Sequence, residues 1–236
     1  MSARNAVASA PARSDNPITL RRVVVGVIVA AIGLGCVTVP WAFYALLLAI
    51  GWAAIYELNA LCEKKGQPLE YPVAVFGVGA YVIMAAFGVL HKWEGVLLAA
   101  ITIAAFWIGM YGEQKGYFAR TAYTLLAALY IGKLLTYFIF IRQMPNDGLW
   151  MTFYVILIVA FTDIFGMLVG TFVGRHQLTK VSPRKTVEGS LGALALVTLF
   201  ATVATQFAPL HLVLWQGAAI GLLTSLAAQA GDLVES

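Results

Sequence analysis

An all-α, polytopic integral membrane bundle of about eight transmembrane helices is predicted for this 236-residue chain by three observations. Hydrophobic residues make up 61% and charged residues only 11%, with a mean hydropathy of +0.86, too apolar for an ordinary water-soluble core. The apolar runs are long enough to cross about 30 Å of hydrocarbon as helices, at roughly 20 residues each. Lysine and arginine fall almost wholly on one side of the layout those runs imply, as cytoplasmic loops require.

The runs read as spans over 23–39, 41–61, 71–90, 93–111, 117–141, 149–174, 187–208 and 210–230. Residues 1–20 are polar and rich in Ala, Ser and Pro, so they are expected to form a disordered cytoplasmic tail rather than a cleavable signal. Pro40 leaves so little chain between spans one and two that they form a very tight hairpin. Spans one to four are nearly featureless, and Trp41, Trp93 and Trp150 near span starts suit interfacial anchoring. Span five carries Lys133 and Thr136, span six Asp163, and span eight Gln229. Loops are short and no linker intervenes, so 21–236 is one membrane domain, with its chemistry concentrated in 130–236.

With the N-terminus inside, the cytoplasmic side receives Arg4, Arg13, Arg21, Arg22, Lys64, Lys65, Lys115, Arg120, Arg175, Lys180, Arg184 and Lys185, and the other side only Lys92 and Arg142. An even number of spans with both termini in the cytoplasm follows. The net charge of +4 therefore reflects topology, not nucleic-acid binding. Cys36 and Cys62 have no His or Cys at ligand spacing, which argues against a disulfide framework or a zinc site.

Asp163 is the most informative residue, because an ionisable group inside an apolar span is costly and marks a functional site by default. Gly166, Gly170 and Gly174 follow it by three, seven and eleven residues and share its helix face, where small residues let another helix, or a second copy, come close. Asp163 could face a polar cleft and bind a divalent cation or a substrate group. The alternative is a structural ion pair within the bundle, with Lys133 as the obvious partner.

The following loop holds Arg175, His176, Lys180, Arg184 and Lys185 with the hydroxyls of Thr179, Ser182 and Thr186. Such groups donate to phosphate, and the helix beginning near Thr186 offers free N–H groups and a positive dipole end. Cytoplasmic topology and attraction to anionic headgroups explain the same charges. Pro183 and Glu188 also suit a helix N-terminus as such. At the end of span eight, Asp232 and Glu235 are three residues apart, a spacing compatible with oxygen ligands to Mg²⁺ or simply with a solvated acidic end. Glu57, Asn59, Lys133, Thr136 and Gln229 are lesser candidates that can satisfy buried polar groups, and His91 and His211 lie at the outer interface.

In order and spacing, Asp163-x-x-Gly166, Gly170-x-x-x-Gly174-Arg175-His176, Val181-Ser182-Pro183-Arg184-Lys185-Thr186-x-Glu188-Gly189 and Gly231-Asp232-Leu233-x-Glu235-Ser236 resemble phosphatidate cytidylyltransferases, the CDP-diacylglycerol synthases. Weaker similarity lies in Tyr130-Ile131-Gly132 and near Glu57. The resemblance implies a Mg²⁺-dependent nucleotidyltransferase of phospholipid synthesis in a bacterial inner membrane, joining phosphatidic acid to the CMP moiety of CTP and releasing pyrophosphate. It implies catalytic roles for Asp163, Lys185 and Asp232, metal ligation by Asp232, Glu235 and Asp163, and substrate contacts from Arg175, Ser182, Arg184, Lys185, Thr186 and Glu188. In the family the last block leads on through Lys-Arg, Lys-Asp, His-Gly-Gly and Asp-Arg groups to a further span. This sequence ends at Ser236, so the resemblance is to a member truncated at its C-terminus. Val187 and Phe161 stand where aromatic residues, often Trp, are usual.

Three other classes compete with that expectation. One is an inactive truncated homologue that only binds membrane lipid, and another is a small transporter using Asp163 and Lys133. The transporter lacks the inverted-repeat hydropathy such folds carry. A lipid-alcohol kinase would use ATP and leave a single phosphate on its product.

Overall fold

The computed structural model describes residues 20–111, 116–179, 182 and 185–235, without the side chains of 20–23 and 235. The expected N-terminal tail therefore lies outside the described residues, apart from the backbone of Leu20. The helices are α1 (Leu20–Thr38), α2 (Pro40–Lys64), α3 (Tyr71–Ala86), α4 (Leu90–Tyr111), α5 (Tyr117–Ala127), α6 (Leu134–Arg142), α7 (Gly148–Val173), α8 (Val187–Ala204) and α9 (Leu214–Glu235). A π turn, Ala128–Lys133, joins α5 to α6, so these three pieces form one continuous rod. Each of the eight expected spans thus corresponds to one helical rod.

Among the described residues, six rods are long and apolar enough to cross a membrane: Pro40–Lys64, Leu90–Tyr111, Tyr117–Arg142, Gly148–Val173, Val187–Ala204 and Leu214–Val234. Val24–Thr38 and Tyr71–Ala86 are apolar but shorter. The chain is a multi-pass helical membrane protein, with length alone supporting six crossings rather than eight. Span three ends four residues early because Gly88 turns the chain at φ +70°, donating to Ala85 O at 2.9 Å while Val89 N reaches back to Met84 O at 3.0 Å. A left-handed glycine just past a helix satisfies its last carbonyls in this way.

The hairpin at Pro40 is as tight as expected. Val39 alone separates the helices, extended at φ −107° and ψ 111°, with Pro40 in the first turn of α2. A residue before proline is driven to that region, and proline suits a helix start. Arg142 closes the end of α1, its Nε donating to Val37 O at 2.9 Å and its guanidinium to Thr38 O at 3.3 Å.

Three packed cores result among the described residues. In the first, Phe43 and Leu47 of α2, Tyr81 and Val82 of α3, and Leu97 and Ile101 of α4 meet Ala128 and Ile139 of the fifth rod. α3 also lines the third, where its Ala74 and Val78 meet Ile55 of α2 and Ala127 of α5. The second core joins Met151, Tyr154 and Ile158 of α7 to Val197 and Ala201 of α8. The Tyr154 hydroxyl donates to Ala201 O at 2.8 Å and lies 3.4 Å from Gly217 O of α9, so one side chain ties three helices. Phe161 packs edge-on against Phe200 at 4.5 Å between ring centroids.

Polar contacts at the two poles tie alternate rods, start to start and end to end. At one pole, Gln143 donates to Ala85 O and Ala86 O at 3.2 and 3.1 Å, and His211 meets Asp147 at 2.7 Å. At the other, Arg120 pairs with Glu70 at 3.2 Å and Glu70 N donates to Thr124 Oγ1 at 2.8 Å. The loop between α7 and α8 and the end of α9 lie at this second pole, with Lys64, Lys65 and Arg120.

Lys133 does not pair with Asp163. It forms an ion pair with Glu94 in the first turns of α4 and lies 5.5 Å from the Tyr137 ring centroid. The physical reason is depth: Lys133 sits about 13 Å from the end of its rod at the first pole, whereas Asp163 sits roughly 22 Å from that pole along α7.

Candidate functional site

The glycine row of α7 is covered from within the chain. A Cβ at Gly189 would lie 2.7 Å from Gly166 O and 3.0 Å from Gly170 Cα, so α7 and α8 cross backbone against backbone. Of the two uses the sequence left open for this row, an intramolecular helix contact is the one realised. Gly174 then breaks α7, extended at φ −61° and ψ 125°. A Cβ there would collide with Thr186 Oγ1 and Cγ2, both at 2.7 Å.

From Gly174 the chain returns as a narrow, paired loop. Val187 N donates to His176 O at 2.9 Å and Leu178 N to Lys185 O at 2.8 Å, with Gln177 bridged to Thr186. Thr186 is the N-cap of α8, extended at φ −114° and ψ 151°, its Oγ1 accepting from Gly189 N at 3.1 Å. Glu188 folds back over the loop. Its Oε2 accepts from Arg175 N and His176 N at 3.0 and 3.2 Å, and its Oε1 lies 2.6 Å from His176 Nδ1.

These contacts correct part of the expected site. The start of α8 was expected to present free N–H groups to phosphate, but those of Val187 and Gly189 are already used by His176 O and Thr186 Oγ1. In this structure Thr186 Oγ1 and Glu188 Oε2 accept from the chain's own backbone and Glu188 Oε1 meets the His176 ring, contacts that brace the loop.

What the loop delivers is Lys185. Its ammonium forms an ion pair with Asp232 Oδ2 near the end of α9. Asp163 on α7 lies within electrostatic reach of both Asp232 and Lys185. Three residues separated by 22 and 47 positions in the chain thus converge where α7, α8 and α9 meet. Two carboxylates share the neighbourhood of one ammonium.

The other expected residues are placed as follows. The Arg175 side chain is exposed beside the loop. Ser182 N donates to Thr179 Oγ1 at 3.2 Å and Ser182 O accepts from Lys185 N at 3.1 Å, which forms the turn before Lys185. Arg184 lies outside the described residues, as does the Glu235 side chain. Of the three expected metal ligands, Asp163 and Asp232 come together. Among the described residues no group of three acidic, His or Cys side chains gathers that could hold a metal.

Sequence reasoning missed the pairing beneath Asp232. One turn earlier on α9, Gln229 is bonded to Ser190 of α8, a residue the sequence did not single out. The signal was Gln229 itself, an uncharged amide in an apolar span that needs a partner.

Residues 20–236 match the cytidylyltransferase family. The chain is 29% identical over 223 residues to the phosphatidate cytidylyltransferase of Bacillus subtilis (strain 168), covering 92% of this chain and 82% of that protein. Against the phosphatidate cytidylyltransferase of Staphylococcus aureus (strain COL) it is 28% identical over 198 residues, 80% of this chain and 75% of that one. With that of Staphylococcus haemolyticus (strain JCSC1435) the identity is 34% over 196 residues, covering 81% and 74%. The matched region takes in Asp163, the paired loop and Asp232 together, and by it the chain belongs to the cytidylyltransferase family.

Proposed function

We propose that this protein transfers CMP from CTP to phosphatidic acid, giving CDP-diacylglycerol and pyrophosphate for phospholipid synthesis. The single observation that carries the reading is the convergence of Lys185, Asp232 and Asp163 at one end of a membrane bundle. A phosphate-bearing lipid and a water-soluble nucleotide can both reach such a place.

A phosphate oxygen of phosphatidic acid attacks the α-phosphorus of CTP. The new P–O bond forms as the bond to the β-phosphate oxygen breaks, and pyrophosphate leaves with that electron pair. Such transfer depends mainly on positioning and charge stabilisation. Lys185 supplies a mobile cation that exchanges its carboxylate partner for a phosphate oxygen, and exposed Arg175 adds charge beside the loop, with Arg184 a further substrate contact implied by the family resemblance. Glu188 and Thr186 hold the loop so that Lys185 projects towards Asp232.

The donor set fits Mg²⁺, which favours one or two carboxylates together with substrate phosphates over an all-protein cage. Asp163 and Asp232 would hold it, with Glu235 a third candidate. Bound there, Mg²⁺ supplies neutralisation of phosphate charge. The excess of Lys64, Lys65, Arg120, Arg175 and Lys185 at the pole of this site supports placing that pole, and both termini, in the cytoplasm of a bacterial inner membrane. With the glycine face of α7 covered by α8, a homodimer would use another surface.

The test is formation of CDP-diacylglycerol and pyrophosphate from CTP and phosphatidic acid by the purified 236-residue chain, with and without Mg²⁺, beside Asp232→Asn. Metal-dependent product from the chain and none from the variant is expected, with no product when ATP replaces CTP. A folded chain that yields no product would overturn the assigned reaction and favour a lipid-binding role.

A further inference from the structure

Asp232 has to be held still, yet little of α9 around it is packed. It is exposed, and a Cβ at neighbouring Gly231 would meet nothing within 4 Å. Nearer the start of α9 the contact with α8 is close. Cβ positions at Gly217 and Gly221 fall against Thr205, Thr202, Ala201 and Thr198 of α8. Small residues there let the two backbones approach, but that contact lies 11 to 15 residues from Asp232.

The hydrogen bonds of α9 nearest Asp232 that fix it to α8 are those of Gln229, three residues before it. Its Oε1 accepts from Ser190 Oγ, and its Nε2 is 3.3 Å from Ser190 O and 3.3 Å from Ser225 Oγ. Ser225 is fully buried. Both ends of one amide are therefore used, and only an amide offers an acceptor and two donors in that arrangement. Ser190 is itself bound to the loop's cap, its N donating to Thr186 O at 3.0 Å. A short chain of contacts thus runs from Asp232's helix turn through Gln229 and Ser190 to the residue that follows Lys185.

We infer that Gln229 is a positioning residue: through Ser190 it sets the rotation and register of α9 that bring Asp232 opposite Asp163 and Lys185. The inference rests on the proposed CMP transfer for its consequence in turnover, but the geometric claim stands apart from it. A rotation of α9 by about 20° would move a carboxylate roughly 6 Å from its axis by about 2 Å. Misplacement of about 1 Å can cost on the order of a hundredfold in rate.

Two readouts test it. The first is geometric and needs no turnover. In a background with Cys36→Ala and Cys62→Ala, cysteines replace Asp163 and Asp232 and are bridged by a short bifunctional thiosulfonate, with and without Gln229→Leu. Bridging slowed roughly tenfold or more by the Gln229 change is expected, and equal rates would overturn the inference. The second uses the native background. Gln229→Leu, which keeps bulk but no hydrogen bonds, should lower kcat roughly ten- to a hundredfold and weaken Mg²⁺ activation, with KM for CTP within about threefold and Tm little changed. Ser190→Ala should act in the same direction, the double variant should be no worse than the poorer single one, and Ser190→Thr should restore function. A fall in kcat that tracks loss of folded protein would make Gln229 merely structural and overturn the positioning role. If the unsubstituted chain makes no product, the assigned reaction fails, while the bridging rates still decide the role of Gln229.

Discussion

Lys185, at the end of the loop that follows α7, is ion-paired with Asp232 near the end of α9, although 47 residues separate them in the chain. The pair is partly exposed, with the lysine side chain 25% and the aspartate side chain 52% accessible, so its value to stability is small. Its importance is positional, because it places a cation and a carboxylate next to Asp163.

Lys185→Met should therefore lower turnover far more than it lowers Tm. A loss of about a hundred- to a thousandfold in kcat is expected, the scale for removing a group that stabilises transition-state charge. Lys185→Arg should recover part of it. Steady-state kinetics on the detergent-solubilised protein would decide, and a rate within a few-fold of the parent would remove Lys185 from the site.

Gly189→Ala tests the α7–α8 crossing. The new methyl would press on Gly166 O and Gly170 Cα, backbone atoms that cannot rotate away. Overpacking of this kind costs about 1–3 kcal/mol. A lower Tm and a loss of turnover should appear together, since the same crossing sets Lys185 against Asp163. Ala substitution at exposed Leu199 on the same helix should leave both unchanged.

Glu94 and Lys133 form an ion pair of their own, remote from Asp163. Lys133→Met should destabilise the protein by stranding Glu94, and adding Glu94→Gln should restore much of the loss. Thermal unfolding of the two singles and the double would reveal that coupling. If Asp163→Asn rather than Glu94→Gln rescued Lys133→Met, the pairing would be wrong.

At the opposite pole, the hydrogen bond from the His211 ring, assisted by His211 N–H at 3.3 Å, holds the Asp147 carboxyl below its usual value of 3.8. A lowered carboxylate pKa in the folded state contributes stability above the unfolded value and loses it as pH falls through the folded one. The stability gap between the parent and Asp147→Asn should therefore be constant from neutral pH to about 4 and close below it. Unfolding midpoints measured from pH 7 to 3 would show this, and a gap that did not change over that range would rule out the carboxylate charge as its source.

Much of this was legible in the chain. Hydropathy and charge are sums over some 20 neighbouring residues, so the helical bundle, its rods, the Pro40 hairpin and the sidedness of its cations could be read directly. Asp163 stood out because an ionisable group is rare in an apolar span and its cost demands a reason, whereas the charge of Lys185 and Asp232 had equally plain topological explanations. The family resemblance pointed to the same three residues.

Tertiary structure decided what each polar group meets. Lys133 answers Glu94 rather than Asp163 because the depth of a side chain depends on where its rod begins and how it is rotated. The first N–H groups of α8 are taken by His176 and Thr186, since the loop folds back in a way that Gly174 and Glu188 allow but do not announce. Gln229 acquired a role only when α9 lay along α8 and brought Ser190 opposite it. Local composition fixes the energy a residue needs to recover, whereas the partner that recovers it is set by helix rotation and register, which emerge only when the rods pack.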